Sequence, residues 1–461
     1  MIYTYGCFSF FQYFCNLLLS DKTKKKRIFV IMKKIFLPIF MMATVLAAHA
    51  QSGTNSPYSQ YGLGVLSEQS SGFNRGMNGL GMGFREGNQV NFINPASYSS
   101  IDSLTFIFDM GLSGQITNFS ENGVRKNAKN ADFEYAVAGF RVFKHVGVSF
   151  GILPFTNVGY SYSSSDYIDP TNTVYYTNTY TGSGGLHQVY LGAGWEPLKN
   201  LSIGANVSYL WGNYSKSISN TYSDSYVNTL YKYYTLSVNN YKVDAGIQYT
   251  LPLGKKNQVT IGATFSPGHS LKADPKCQVV SYNSTTSVTD TTTYVAKDGV
   301  KLPNMIAAGV MWNHNNQLKL GVDYSLQQWG SVGFPDYTVV NDKPAYVVND
   351  NYFKDRHKFT LGGEYCKGAM YRKLLSRIRY RAGVSYATPY MTINGKDGPK
   401  EISASIGFGI PIMNGYNNRS LLNISGQWVH TSGAGMITEN TFRINIGMTF
   451  NERWFAKWKV E

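Results

Sequence analysis

Charge is what this 461-residue chain has least of: Asp, Glu, Lys and Arg make up 15% of it. An average globular domain carries roughly 25%, so the ordinary soluble surface is absent. Long apolar runs are absent too. Past residue 50 nothing approaches the about 18 consecutive apolar residues of a transmembrane helix, which excludes a helical membrane protein. Cysteine is scarce; beyond residue 50 only Cys277 and Cys366 remain, which make no disulfide framework and leave their pairing open. His145, His187, His269, His314, His357 and His430 are scattered with no metal-ligand spacing, and no Gly-rich stretch runs into G-K-[ST]. Neither a metal nor another cofactor is implied. What is plentiful is glycine (46) and tyrosine (35), the latter outnumbering Asp and Glu together (27). With 15% aromatic residues the chain is no disordered polymer.

Residues 32–50, MKKIFLPIFMMATVLAAHA, read as an export signal: Lys33 and Lys34, an apolar core, and Ala48-His49-Ala50 as the cleavage site. Residues 1–31 are read as an upstream extension, with Met32 as the start; a genuine N-terminal anchor is the other reading. Residues 1–50 hold seven Lys/Arg and one Asp, so the formal +15 becomes +9, from 35 basic and 26 acidic residues, once they are removed. No basic cluster remains that would point to nucleic acid.

From residue 104 the pattern has period two. In TFRINIGMTF (441–450), Phe442, Ile444, Ile446, Met448 and Phe450 share one face and Thr441, Arg443, Asn445, Gly447 and Thr449 the other. EISASIGFGI (401–410), LKLGVDYSL (318–326) and RIRYRAGVSY (377–386) alternate likewise. Fourteen such segments can be marked between 104 and 450, most of them long enough for the about 9–11 residues a strand needs to cross a bilayer. Short connections (144–145, 197–199, 254–256, 314–316, 367–375, 414–418) alternate with long ones (120–132, 163–185, 218–237, 274–302, 330–355, 390–399, 432–437). Short periplasmic turns opposite long extracellular loops are the topology of bacterial outer-membrane barrels. The expectation is an all-β fold, a 14-stranded antiparallel transmembrane β-barrel over 104–450 in the outer membrane of a Gram-negative bacterium, with outer-membrane lipid around it and residues 451–461 as a periplasmic tail. Tyrosines near strand ends suit the headgroup level; contact with ligands at the surface is the alternative. Residues 51–103, rich in Gly, Asn and Ser, read as an N-terminal hatch that plugs a lumen too wide for side chains alone to fill.

Several of these segments resemble the FadL-type family of long-chain fatty-acid transporters. The resemblance rests on Gly76 to Gly83 followed by Asn94-Pro95-Ala96, on Pro154-Phe155 in the third strand, and on LPNMIAAGVMWNHNNQLKLGVDYSLQQW (302–329). RHKFTLGGEY (356–365) and RYRAGVSY (379–386) are also similar. The opening SPYSQYGLG and the tail NERWFAKWKVE resemble a Bacteroidetes-type branch with PorV-like proteins that serve secretion machinery. The resemblance implies fourteen strands plus a hatch, and a kink in the third strand that opens the wall toward lipid.

Chemistry for catalysis is missing. Gly147-Val148-Ser149-Phe150-Gly151 fits G-x-S-x-G, but that motif needs a strand–turn–helix context, whereas here it lies in an alternating strand. The chain reads as no enzyme. Pro154, inside a wall strand, cannot donate to a ladder; Pro154, Phe155 and Thr156 mark either a tolerated bulge or a lateral opening. Alternation turns Lys319, Asp323, Glu364, Arg377, Arg379, Arg381 and Arg443 inward, either to anchor the plug by ion pairs or to hold a carboxylate headgroup. The reading is passive uptake of small hydrophobic, fatty-acid-like molecules past a hatch (Phe92, Asn94, Pro95, Ala96), with lateral exit near Pro154. The alternative is a scaffold or accessory barrel of an outer-membrane secretion or assembly machine, binding protein partners through its loops.

Overall fold

The computed structural model describes residues 53–168, 174–368, 371–414 and 417–453. The segments read as extension and signal (1–31 and 32–50) lie outside the described residues, as does the tail from 454 onward.

Fourteen wall strands follow in chain order: β1 Thr105–Glu121, β2 Val124–Phe143, β3 Val146–Tyr167, β4 Tyr175–Leu198, β5 Leu201–Tyr222, β6 Thr229–Leu253 and β7 Asn257–Ser266. They continue as β8 Met305–His314, β9 Leu318–Gln327, β10 Arg356–Tyr365, β11 Arg379–Ala387, β12 Lys400–Asn414, β13 Asn417–Ser432 and β14 Thr438–Arg453. Each pairs antiparallel with the next, and β1 pairs with β14 from Thr105↔Arg453 to Ser120↔Thr438, closing the barrel. Closure leaves no sheet edge at that join, as hydrocarbon demands.

The alternation has a direct cause. On β14 the apolar face points outward, with Ile444 60% and Phe442 56% exposed, while Thr441, Asn445 and Thr449 are buried inside. The same outward set recurs around the wall (Leu191, Val207, Leu361, Val384, Ile406). An apolar belt of this extent is stable only against lipid, so the chain is a transmembrane β-barrel of the outer-membrane type.

Much of the predicted loop is strand. The connection expected at 120–132 is a two-residue turn, Asn122-Gly123, both at positive φ (47° and 83°), as the tight hairpin turn requires. Strands β3 to β6 run 22–25 residues, roughly twice what a crossing needs. Their outer halves are Tyr, Ser, Thr and Asn, polar enough to look like loop, yet Tyr and Thr favour the pleated backbone. Within the expected loop 274–302, Lys276–Tyr282 pairs with β6 and with Thr289–Val295, extending the wall upward. Strand β7 instead ends early, at Ser266 before Pro267-Gly268.

Residues 53–103 lie inside the barrel. They contain 3-10 turns at Pro57–Gln60 and Pro95–Ser100, a single helical turn at Gly72–Arg75 and a two-residue strand, Val65–Leu66. Phe73, Met77, Leu80 and Phe84 of the plug pack with Met311 of β8. At the outer end, Tyr58 and Leu63 join loop residues Trp329, Phe334, Phe353 and Met391 and wall residues Leu210 and Val238 in an apolar cap across the mouth.

Candidate functional site

The plug is fixed to the wall by three devices. The first is backbone contact at lumenal glycines: a β-carbon at Gly204, Gly262 or Gly383 would overlap the backbone of Pro95, Met82 or Met77. Only glycine lets two backbones approach this closely. The second is Asn94, whose Oδ1 accepts from Ala96 N (3.1 Å) and whose Nδ2 donates to Met82 O (3.0 Å) and Ile247 O of β6 (3.1 Å). It caps the 3-10 turn that Pro95 opens. Asn94-Pro95-Ala96 is therefore a latch of plug to wall, with Ala96 fully buried, and Phe92 packs near Tyr135 and Tyr190 at ring distances of 6.0 and 6.2 Å.

The third device is charge. Lys319, Glu364, Arg379 and Arg381 come together on β9, β10 and β11. Glu364 Oε2 meets Arg381 Nε at 2.7 Å, and Oε1 meets Arg379 Nη1 at 2.8 Å and Lys319 Nζ at 3.2 Å. Glu86 of the plug completes the cluster, bonded to Lys319 and 3.5 Å from Arg379. Arg381 Nη1 also donates to Asn423 Oδ1 at 2.6 Å. Asp323 sits apart and accepts from the plug amides of Gly81 (2.7 Å) and Met82 (3.0 Å). Arg443 lies elsewhere, donating to Gln115 at 2.9 Å and reaching Glu68 at 4.0 Å. The structure places Arg377 in the turn before β11, which begins at Arg379, and its carbonyl accepts from the Cys366 thiol there.

The reading from alternation missed the plug's half of these contacts. Glu68, Arg75, Arg85 and Glu86 each face an opposite charge on the wall: Arg443, Glu134 (2.8 Å), Glu196 (3.2 Å) and Lys319. Arg75 is 1% exposed. Five charged residues, Glu68, Arg75, Arg85, Glu86 and Asp102, in a Gly-Asn-Ser segment of a charge-poor chain were the available signal.

Elsewhere one wall ladder stops short. The β2–β3 ladder ends at Ala136↔Ile152. Among the described residues, Val124–Tyr135 pairs beyond that point only with β1, and Leu153–Tyr167 with β4 and the plug. The ladder stops just before Pro154, and Phe155 is the extra residue of a bulge between Pro154↔His187 and Thr156↔Leu186. Proline is tolerated here because the ladder it would interrupt has already stopped. From inside, Val65 pairs with Asn157 and Leu66 with Thr156. Ser67 N donates to Phe155 O (3.0 Å) and Gln69 Nε2 to Pro154 O (2.7 Å). The plug thus supplies the partners that the missing ladder would have supplied.

Against this seam lies a cavity of 410 Å³, between plug and cap. Leu66, Phe92, Leu153, Phe155 and Met305 give it apolar surface; Glu68, Asp132, Lys242, Asp244, Lys358 and Arg443 give it charge. Above it burial pushes the Tyr390 hydroxyl up to about 12. In the G-x-S-x-G segment, Ser149 Oγ bonds to Ala138 O (2.9 Å) and Tyr190 OH (2.8 Å), a bracing role within the wall.

Among solved structures, the barrel is similar to the Pseudomonas putida toluene transporter TodX (12% identity, 85% of this chain and 100% of that one, TM-score 0.57). It is also similar to a Pseudomonas aeruginosa FadL homologue (12%, 84% and 98%, TM-score 0.56) and to the CymD monoaromatic hydrocarbon channel (14%, 86% and 99%, TM-score 0.54). At such identity these likenesses establish the shared fold. No curated protein matches the sequence. The sequence model of the BamG family matches residues 31–461, nearly the whole length, and the chain belongs to the BamG family.

Proposed function

We propose that the barrel passes small hydrophobic molecules with a polar end across the outer membrane, without energy input, through the 410 Å³ cavity and out through the seam at Pro154, Phe155 and Thr156. The observation that carries this reading is adjacency: Leu153 and Phe155 line both the cavity and the gap. Its mixed lining suits an amphipathic guest, with the apolar part against Phe92 and Leu153 and the polar end toward Arg443 or Lys358. The names of the solved neighbours, a toluene transporter and a hydrocarbon channel, support the same class of cargo. In this reading Val65–Gln69 is the part that moves. Cross-linking it to the wall by Leu66→Cys with Thr156→Cys is expected to stop uptake of a labelled fatty acid and restore it on reduction; uptake indifferent to the cross-link would remove the proposal.

A second reading, an accessory barrel of an outer-membrane secretion or assembly machine, is favoured by a different observation. The mouth is closed by a buried aromatic cap, the plug is pinned at four charged residues, and β3 to β6 rise far past the bilayer as a platform. Purification from the native membrane separates the two: a stoichiometric protein partner supports the platform, co-purified fatty acid the passage.

A further inference from the structure

The periplasmic turns are short, except for residues 366–378 between β10 and β11. That turn is braced. Cys366 Sγ donates to Arg377 O, Gly368 N to Ser376 O at 3.2 Å, and Gln317 Nε2 to Lys367 O at 2.9 Å, while Leu374–Ser376 forms a 3-10 turn. Despite this order it exposes two adjacent leucines, Leu374 at 48% and Leu375 at 71%. Lys367, Arg372 and Lys373 are exposed beside them, and the turn contains no acidic residue.

Its direction is set by Tyr380. On β11 the neighbouring Arg381 points inward, and Tyr380 lies across from Tyr365 and Phe408, which are 48% and 41% exposed on the outer face. The Tyr380 hydroxyl donates to Leu375 O at 3.1 Å, so the turn folds over the outside of the barrel and not beneath the lumen. Leu374 and Leu375 therefore continue the lipid-facing belt at its periplasmic edge. Exposed lysines on other turns of this rim (Lys144, Lys199, Lys255 and Lys256) outnumber its acids Asp102, Glu196 and Glu452, and Glu196 is already held by Arg85.

We propose that Lys367, Arg372, Lys373, Leu374 and Leu375 form a binding site for anionic phospholipid of the inner leaflet. Leu374 and Leu375 enter the acyl boundary, and Lys367, Arg372 and Lys373 hold the headgroup phosphate. A lipid is favoured over a periplasmic protein because the leucines lie on the outer face, continuous with the belt. Apolar side chains flanked by cations are what an anionic membrane surface attracts, each basic residue contributing about fivefold.

The test is native mass spectrometry of the full chain in detergent, titrated with dioleoyl phosphatidylglycerol, dioleoyl phosphatidylcholine or glycerol 3-phosphate. Phosphatidylglycerol should be retained about tenfold or more over phosphatidylcholine. K367Q/R372Q/K373Q should erase that preference, and Leu374→Ser with Leu375→Ser should weaken retention of both lipids, with unchanged thermal unfolding in each variant. Equal retention of the two lipids by the wild type, or an undiminished preference in the triple variant, overturns the proposal. So does glycerol 3-phosphate binding as tightly as the lipid, which would make this a site for soluble anions, or an acidic protein retained through these residues in place of lipid.

Discussion

The plug meets the wall in two different ways, and the contrast divides the molecule. Along β9 to β11 and β5 to β7 it is held by the ion pairs of Glu86 with Lys319 and Arg379, by side-chain hydrogen bonds and by backbone packed on glycine. On the β3 side of the β2–β3 seam it is held by a two-residue ladder and the few hydrogen bonds of Ser67 and Gln69, while the β2 side keeps the Arg75–Glu134 ion pair. The first interface is costly to open because Glu86 would lose both of its cations and Lys319 one of its two carboxylates. The β3 side of the seam exchanges a few backbone bonds of a kind that net only about 1 kcal/mol apiece. Plug movement, if the barrel conducts, belongs at the seam, while the rest of the segment stays fixed.

Three substitutions put that contrast under strain. Glu364→Gln leaves Arg381 buried without a carboxylate and Lys319 and Arg379 with Glu86 alone, which should cost about 3–5 kcal/mol. The readout is a lower thermal unfolding temperature, by circular dichroism or heat-modified gel mobility, and an unchanged transition would mean the cluster does not pin the plug. Gly204→Ala forces a methyl group into the Pro95 backbone and should cost about 1–3 kcal/mol by overpacking; no loss on the same melt would show that this contact is slack. Gln69→Ala removes one bond to the bulge and should cost about 0.5–1.5 kcal/mol. Its signature is local: amide exchange should quicken at 153–157 and not at 76–84. Equal acceleration at both stretches would erase the distinction between the two interfaces.

The strands were legible because lipid and lumen impose opposite chemistry on alternate residues, and period two survives in a single sequence. The same logic turns Lys319, Asp323, Glu364, Arg377, Arg379, Arg381 and Arg443 inward; the structure brings Lys319, Glu364, Arg379 and Arg381 together, sets Asp323 and Arg443 apart from them, and places Arg377 in the turn before β11. Partners were not legible: Lys319 and Glu86 are 233 residues apart, and nothing local in either segment encodes that pairing. The outer halves of β3 to β6 were hidden for another reason. Polarity was taken as a sign of loop, but above the bilayer a strand has no lipid to face, so both its sides become polar and the alternation fades.

The closed β1–β14 join bears on how such a molecule can be made. The plug is synthesised first, yet its partners reach to Asn445, which accepts from Arg75 at 3.2 Å, and the ring shuts only when Thr105 meets Arg453. The contacts of Arg75 and Glu86 therefore span the chain from the plug to the last wall strand, and the plug's full set of partners exists only once that last strand is in place.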